Sequence, residues 1–153
     1  MVERRSISFV SMMVFLIIVS GCTTSTGSSA PTHPGMNTTP VQKVEVFHFH
    51  LNQQCPSCSA IGDLAEETVN ENFKNELASG RLVFAHVNAE QPGNASLAEK
   101  YGVTGSSLWI GVYDFRGFHK EQDIRVWSLV NDKTQFKTYL SGVIAKRLNG
   151  DLS

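Results

Sequence analysis

Two cysteines three residues apart, Cys55 and Cys58, enclose a Pro-Ser dipeptide and are the side chains of this chain best suited to chemistry. A C-x-x-C pair supports thiol-disulfide exchange when its first sulfur is held as a thiolate and its second can attack a mixed disulfide formed on the first. A strand giving way to a helix meets both needs. The free N–H groups and positive end of the macrodipole at a helix start stabilise a thiolate, and Pro56 suits the first helical position because it has no N–H to lose. Cys58 then lies one turn on, facing inward. Cys55 is the expected nucleophile and Cys58 the resolving thiol, with the redox-active Cys55–Cys58 disulfide standing in place of any bound cofactor. As mere cross-link the pair gains little, since so small a loop has little closure entropy to lose, but an inert surface disulfide stays open as a reading.

A metal-binding reading competes. His48 and His50, two residues apart on a strand, face the same way, and with Cys55 and Cys58 they make an N/S donor set for zinc or Cu(I). A strand with one polar face accounts for the same histidines more simply. Protonated, His50, the nearer to Cys55, would lower the thiol pKa further. His33, His86 and His119 stand alone and are read as surface or strand residues without chemistry.

The elements that must position the pair follow from hydrophobic periodicity. Residues 44–51 are β-branched and aromatic, a strand entering a core. Residues 59–77 carry Ile61, Ala65, Val69, Phe73 and Leu77 at every fourth position, a helix with an acidic, solvated opposite face. Residues 81–88 form a second strand, parallel to the first because a helix crosses over between them. A turn at 91–94 leads into a short helix at 95–101, ended by Gly102. Residues 107–113 read as a buried strand, 114–117 as a hairpin turn and 118–127 as a charged return strand at a sheet edge, with Trp127 at its end. A last helix starts near Asn131 and closes at Asn149-Gly150. The result is a single α/β domain over residues 43–150, a central mixed sheet in the order β-α-β-α-β-β-α with flanking helices.

Ahead of it, Arg4 and Arg5, an apolar run at 7–19 and the sequence Val19-Ser20-Gly21-Cys22 match a secretory signal. The last four residues resemble a prokaryotic lipobox, which implies cleavage after residue 21 and a lipid on Cys22. Residues 22–42, rich in Thr, Ser, Pro and Gly, then form a flexible tether, and 151–153 a short tail. Three cysteines fit this arithmetic, one for lipid and two for the pair. The expectation is an extracytoplasmic monomer, lipid-anchored to the cell membrane. A net charge of −1 with no basic cluster beyond the first segment excludes a nucleic-acid partner. Paired catalytic carboxylates, phosphate-cradling glycines and a serine nucleophile elbow are absent.

With Cys55-Pro56-Ser57-Cys58 opening the first helix and Tyr101-Gly102-Val103-Thr104-Gly105 before the third strand, residues 43–150 resemble the thioredoxin-like fold. Residues 44–47, 55–58 and 101–108 are similar to the thioredoxin-like family called nitrophenyl compound nitroreductase subunit, or ArsF-like. The resemblance implies disulfide exchange with a protein thiol or disulfide partner, a membrane reductase being one candidate. A non-catalytic subunit that docks to such a reductase is the other reading. The resemblance also puts Ser107 at the position of a cis-proline beside the cysteines, where its hydroxyl can hydrogen-bond Cys55. Phe49 falls where thioredoxins carry a buried proton-relaying aspartate, so efficient general reductase activity is not expected. Gln53 and Gln54 replace an apolar rim with a polar one.

Overall fold

The computed structural model describes residues 40–153. The signal segment, Cys22 and nearly all of the tether lie outside the described residues. Four strands form one sheet in the order β2-β1-β3-β4. Strand β1 (Val41–His50) pairs in parallel with β2 (Leu82–Asn88) and antiparallel with β3 (Ser107–Asp114), which pairs antiparallel with β4 (Gly117–Gln122). Helix α1 (Pro56–Asn72) and a short α2 (Lys74–Ala78) link β1 to β2, a 3-10 turn (Pro92–Asn94) and α3 (Ala95–Tyr101) link β2 to β3, and α4 (Val126–Leu129) and α5 (Lys133–Leu148) close the chain. This is the expected mixed α/β domain and element order.

Both faces of β1 are covered. Val44 and Val46 pack against Ile61, Ala65 and Val69 of α1 and Phe136, Leu140 and Ile144 of α5. Phe47 and Phe49, on the alternate face, pack against Val87, Ala98 and Tyr101. His48, on the strand face expected to be polar, is only 1% exposed, so that face is closed to solvent there. The second layer also encloses a carboxylate. Glu45 is buried, paired with Lys43 at 2.7 Å and accepting hydrogen bonds from Tyr101 Oη and Tyr113 Oη, each 2.8 Å.

Four boundaries differ from expectation. The domain begins two residues early, with 41 and 42 inside β1. The first helix is interrupted at Phe73, whose φ of −130° and ψ of 37° leave the helix while its ring stays buried in the core. The return strand stops at Gln122; one further cross-strand bond, Asp123 N–H to Leu108 O, follows before the chain turns to bury Val126, placing Trp127 on α4. Residues 151–153 are not a free tail. Leu152 packs on the core, and Arg147, ion-paired with Glu121, donates to the carbonyls of Asp151 (2.7 Å) and Ser153 (3.2 Å). Among the described residues no helix is long and apolar enough to cross a membrane.

Two glycines separate packing from backbone effects. A Cβ on Gly111 in β3 would lie 2.8 Å from Phe118 Cε2 and clash with Tyr101 Oη, whereas one on Gly142 in α5 would meet nothing within 4 Å. Gly111→Ala is expected to destabilise by roughly 1–3 kcal/mol through overpacking. Gly142→Ala is expected to stabilise by roughly 0.5–1 kcal/mol through helix propensity. Urea midpoints with unchanged slopes check both.

Candidate active site

The C-terminal end of β1 sets the position of the cysteines. His50 O accepts from Ala89 N–H at 2.8 Å, which carries the parallel ladder one step past β2. The loop at 51–54 is then held to the loop after β2, with Asn52 N–H donating to Glu90 Oε2 at 2.5 Å and Asn88 Nδ2 donating to Asn52 Oδ1 at 2.8 Å. Gln53 and Gln54 are exposed, the polar rim expected of them.

Cys55 caps α1. Its backbone is extended (φ −75°, ψ 158°), its carbonyl accepts the first helical bond from Ser59 N–H at 3.1 Å, and its Sγ accepts from Cys58 N–H at 3.1 Å. Pro56 takes the first helical position, and no acidic residue lies in the first turn to oppose a thiolate. Cys55 and Cys58 are joined as a disulfide with their Cα atoms 5.0 Å apart. Cys55 is exposed and Cys58 half-buried, so an incoming group meets the Cys55 sulfur first. When the bridge is open, the same amide and the end of the helix dipole favour the anionic form of Cys55.

The remaining expected site residues divide. Ser107 lies at the end of β3, paired in register with Phe49, and is buried. Its hydroxyl donates to Gly105 O (2.9 Å) and accepts from Trp109 Nε1 (3.0 Å), so the hydrogen bond expected to Cys55 is not made. Among the described residues no peptide bond is cis, that between Ser106 and Ser107 included. His50 is half-buried, and its Nδ1 donates to Leu51 O at 3.0 Å. The metal set is not assembled: among the described residues no three His, Cys, Asp or Glu side chains converge as ligands. Both sulfurs are already bonded to each other.

A group the sequence reading did not assemble lies beneath α1. His48 and His86 are neighbours in the parallel register of β1 and β2, and their Nδ1 atoms are 3.0 Å apart. His86 Nε2 continues to Glu66 Oε2 at 3.2 Å, so His86 is not isolated and Glu66 is not merely solvated. The His48 ring fills the space where a Cβ on Gly62 would lie. Gly62 and Cys58, four residues apart, share one face of α1. Burial pushes His48 down to about 4, and the neighbouring His86 and His50 push the same way against the Cys58 backbone and Asp63. Phe49 is in the opposite layer, and the buried titratable side chain on the α1 side is His48.

No family model matches the chain, and no curated protein matches it. The finer likeness to nitroreductase subunits thus has no support. Solved structures do match. A malarial protein is 20% identical, covers 69% of this chain and 98% of its own, with a TM-score of 0.39. The Trx4 domain of ERdj5 is 14% identical over 70% of this chain and 84% of its own, TM-score 0.44. A thioredoxin from Thermus thermophilus is 20% identical over 68% and 75%, TM-score 0.44.

The depressed His48 has a measurable consequence. Because its folded value lies near 4 against 6.5 when free, the unfolded chain binds the extra proton first as the solution is acidified. Its contribution is complete above 6.5 and declines as pH falls toward 4. Stability is expected to drop by up to about 3 kcal/mol across that window. Denaturant titrations at several pH values, with His48→Leu losing this component, check the assignment.

Proposed function

We propose that this chain is a thiol-disulfide oxidoreductase that exchanges an electron pair with a protein partner through Cys55 and Cys58, outside the cytoplasm, on a lipid anchor at Cys22. The single observation that carries the redox reading is the cap geometry: an exposed Cys55 sulfur accepting the Cys58 N–H at a helix start, bonded to a half-buried Cys58. The anchor rests on Val19-Ser20-Gly21-Cys22 and the Thr/Ser/Pro/Gly-rich residues that follow.

In the reducing direction, the Cys55 thiolate attacks one sulfur of a partner disulfide. A mixed disulfide forms and the other partner sulfur leaves as a thiolate. Cys58 loses its proton and attacks the Cys55 sulfur, restoring the internal disulfide and expelling the second partner thiolate, so two electrons have moved to the partner. The reverse sequence oxidises a partner dithiol. Ile124, 71% exposed, follows Asp123, whose N–H bonds Leu108 O at the Ser107 end of β3. It therefore lies at the same end of the sheet as the cysteines.

Cys55→Ser is expected to abolish exchange with a model disulfide, a loss of at least about a hundredfold, while Cys58→Ser retains the first attack and accumulates a mixed disulfide. Equal loss in both variants would sink the assignment of roles. Equilibration against thiol buffers is expected to place the pair between about −120 and −270 mV, whereas a value below about −300 mV marks a structural bridge. Cys22→Ser is expected to move the chain from the membrane fraction to the soluble one.

A further inference from the structure

We propose that the outer edge of β2 is a self-pairing surface, on which a second copy of this chain lays its own β2 antiparallel about Phe84 and joins two four-stranded sheets into one. This goes beyond the exchange reading, does not rest on it, and replaces the monomer expected from the sequence with a two-fold dimer.

The parallel ladder to β1 leaves half of the β2 backbone groups facing outward. Val44 N–H donates to Arg81 O and Ala89 N–H to His50 O, each at 2.8 Å, and the register between them runs from Val44 opposite Leu82 to His50 opposite Asn88. The bonds to β1 therefore use residues 81, 83, 85, 87 and 89. The N–H and C=O groups of Leu82, Phe84 and His86 point away from the sheet, and β2 has no second neighbour among the described residues. Beyond them the chain closes its own edge, since Asn88 O accepts from Gln91 N–H (3.3 Å) and Asn94 Nδ2 (2.9 Å). A free edge is commonly protected by lysine, proline or a bulge, and Leu82–Asn88 has none of these. The other edge, β4, carries Lys120 and Glu121.

A second copy suits this edge because the match is self-complementary. Antiparallel pairing about a two-fold axis through Phe84 sets Phe84 opposite itself and Leu82 opposite His86 of the second copy, so the outward residues form hydrogen-bonded pairs with about six new bonds. Between them Val83 faces Ala85 of the second copy, and the same pair recurs across the axis. Val83 and Ala85 are only half-buried, on the sheet face where Phe47, Phe49 and Val87 pack with Ala98 and Tyr101 of α3. The second copy's apolar pair extends that cover. Charge matches in the same arrangement. Exposed Arg81 stands just before the strand and donates to Leu148 O of α5 at 3.2 Å. Glu66 reaches the other end of the strand from α1, through His86. Helices α1 and α5 pack on one face of the sheet, and a two-fold axis perpendicular to the sheet keeps the helices of both copies on that face. It carries Arg81 of each copy toward the Glu66 end of the other, so opposite charges meet at both ends of the paired strands. The two Cys55–Cys58 bridges then lie at opposite ends of the joined sheet, each open to an exchange partner.

Sedimentation of the full chain in a neutral detergent, followed over roughly a hundredfold dilution, reads the association. The expected result is a reversible monomer-dimer equilibrium. Val83→Lys and Ala85→Glu are each expected to weaken it by about tenfold or more, because each sets an unpaired charge against an apolar neighbour. The double variant places every lysine opposite a glutamate of the other copy and is expected to return to within about threefold of the unaltered chain. That rescue separates pairing in this register from a mere loss of folding. Amide hydrogen exchange gives the second reading: protection at Phe84 and His86 rises with concentration, while the amides of Val83 and Ala85, bonded to β1, are protected already at the lowest concentration. A chain that stays monomeric through the series overturns the proposal. So does a dimer whose Phe84 and His86 amides stay unprotected, or a double variant that associates no more tightly than the single ones. A monomer in which those two amides are protected at every dilution overturns it as well, since the chain's own residues then cover the edge.

Discussion

The site depends on β1 having no free side. Its edges are hydrogen-bonded to β2 and β3, and its faces are covered by two apolar layers. A strand held this way cannot slip by one residue without moving Phe47 and Phe49 into the layer that holds Val44 and Val46, so its register is fixed strongly. The end of such a strand is a fixed point, and the loop at 51–54 is tied from there to the loop after β2. Helix α1 must then lie on the Val44 and Val46 face through Ile61, Ala65 and Val69. The direction of its first turn follows, and with it the aim of the Cys58 amide at the Cys55 sulfur.

Charge is distributed so that the sulfurs meet no carboxylate in the first turn of α1. Acidic residues farther along that helix are spent elsewhere. Glu67 and Glu71 pair with Lys133 and Lys137 of α5 across the surface, contacts that solvent screens and that contribute little each. Glu45 sits in the opposite layer. Burial pushes its carboxyl up, but bonds from Lys43, Tyr101 and Tyr113 outweigh burial and hold it below the ordinary range. It is thereby fixed as an anion well away from the helix start, where the field remains that of the amides.

Much of this was legible in the sequence because the signals were local. β-branched and aromatic residues marked β1, a buried apolar run marked β3, Gly102 stopped α3 at a φ of 74°, and the C-x-x-C with Pro56 marked the helix start. What was missed depended on tertiary partners. The spacing of Phe73 fits a continuous helix, and only the core decides that the backbone turns there. The charged residues after Phe118 suggest a long edge strand, and only burial of Val126 ends it. Ser107 was expected to face Cys55, but Gly105 and Trp109 take its hydroxyl. His48 was the largest miss. Alternation alone cannot say whether a strand's second face is wet. The signal that existed was indirect: a parallel register sets His48 beside His86, and a glycine in mid-helix at 62 makes room for a ring.

That glycine bears on why an imidazole stands at this position. Glycine inside a helix is unfavourable by roughly 1 kcal/mol relative to alanine, and a buried side chain with an unpartnered nitrogen adds a further cost. An apolar pair, a larger residue at 62 with a smaller one at 48, would fill the same volume without either penalty. A carboxylate would be worse, since its ionised form would have to be desolvated in the core. A neutral imidazole avoids that penalty, and one of its nitrogens is shared with the facing His86. The close approach of α1 to β1 at Gly62 and the placing of the cysteine pair at the start of α1 are thus one geometric arrangement, set by the strand beneath both.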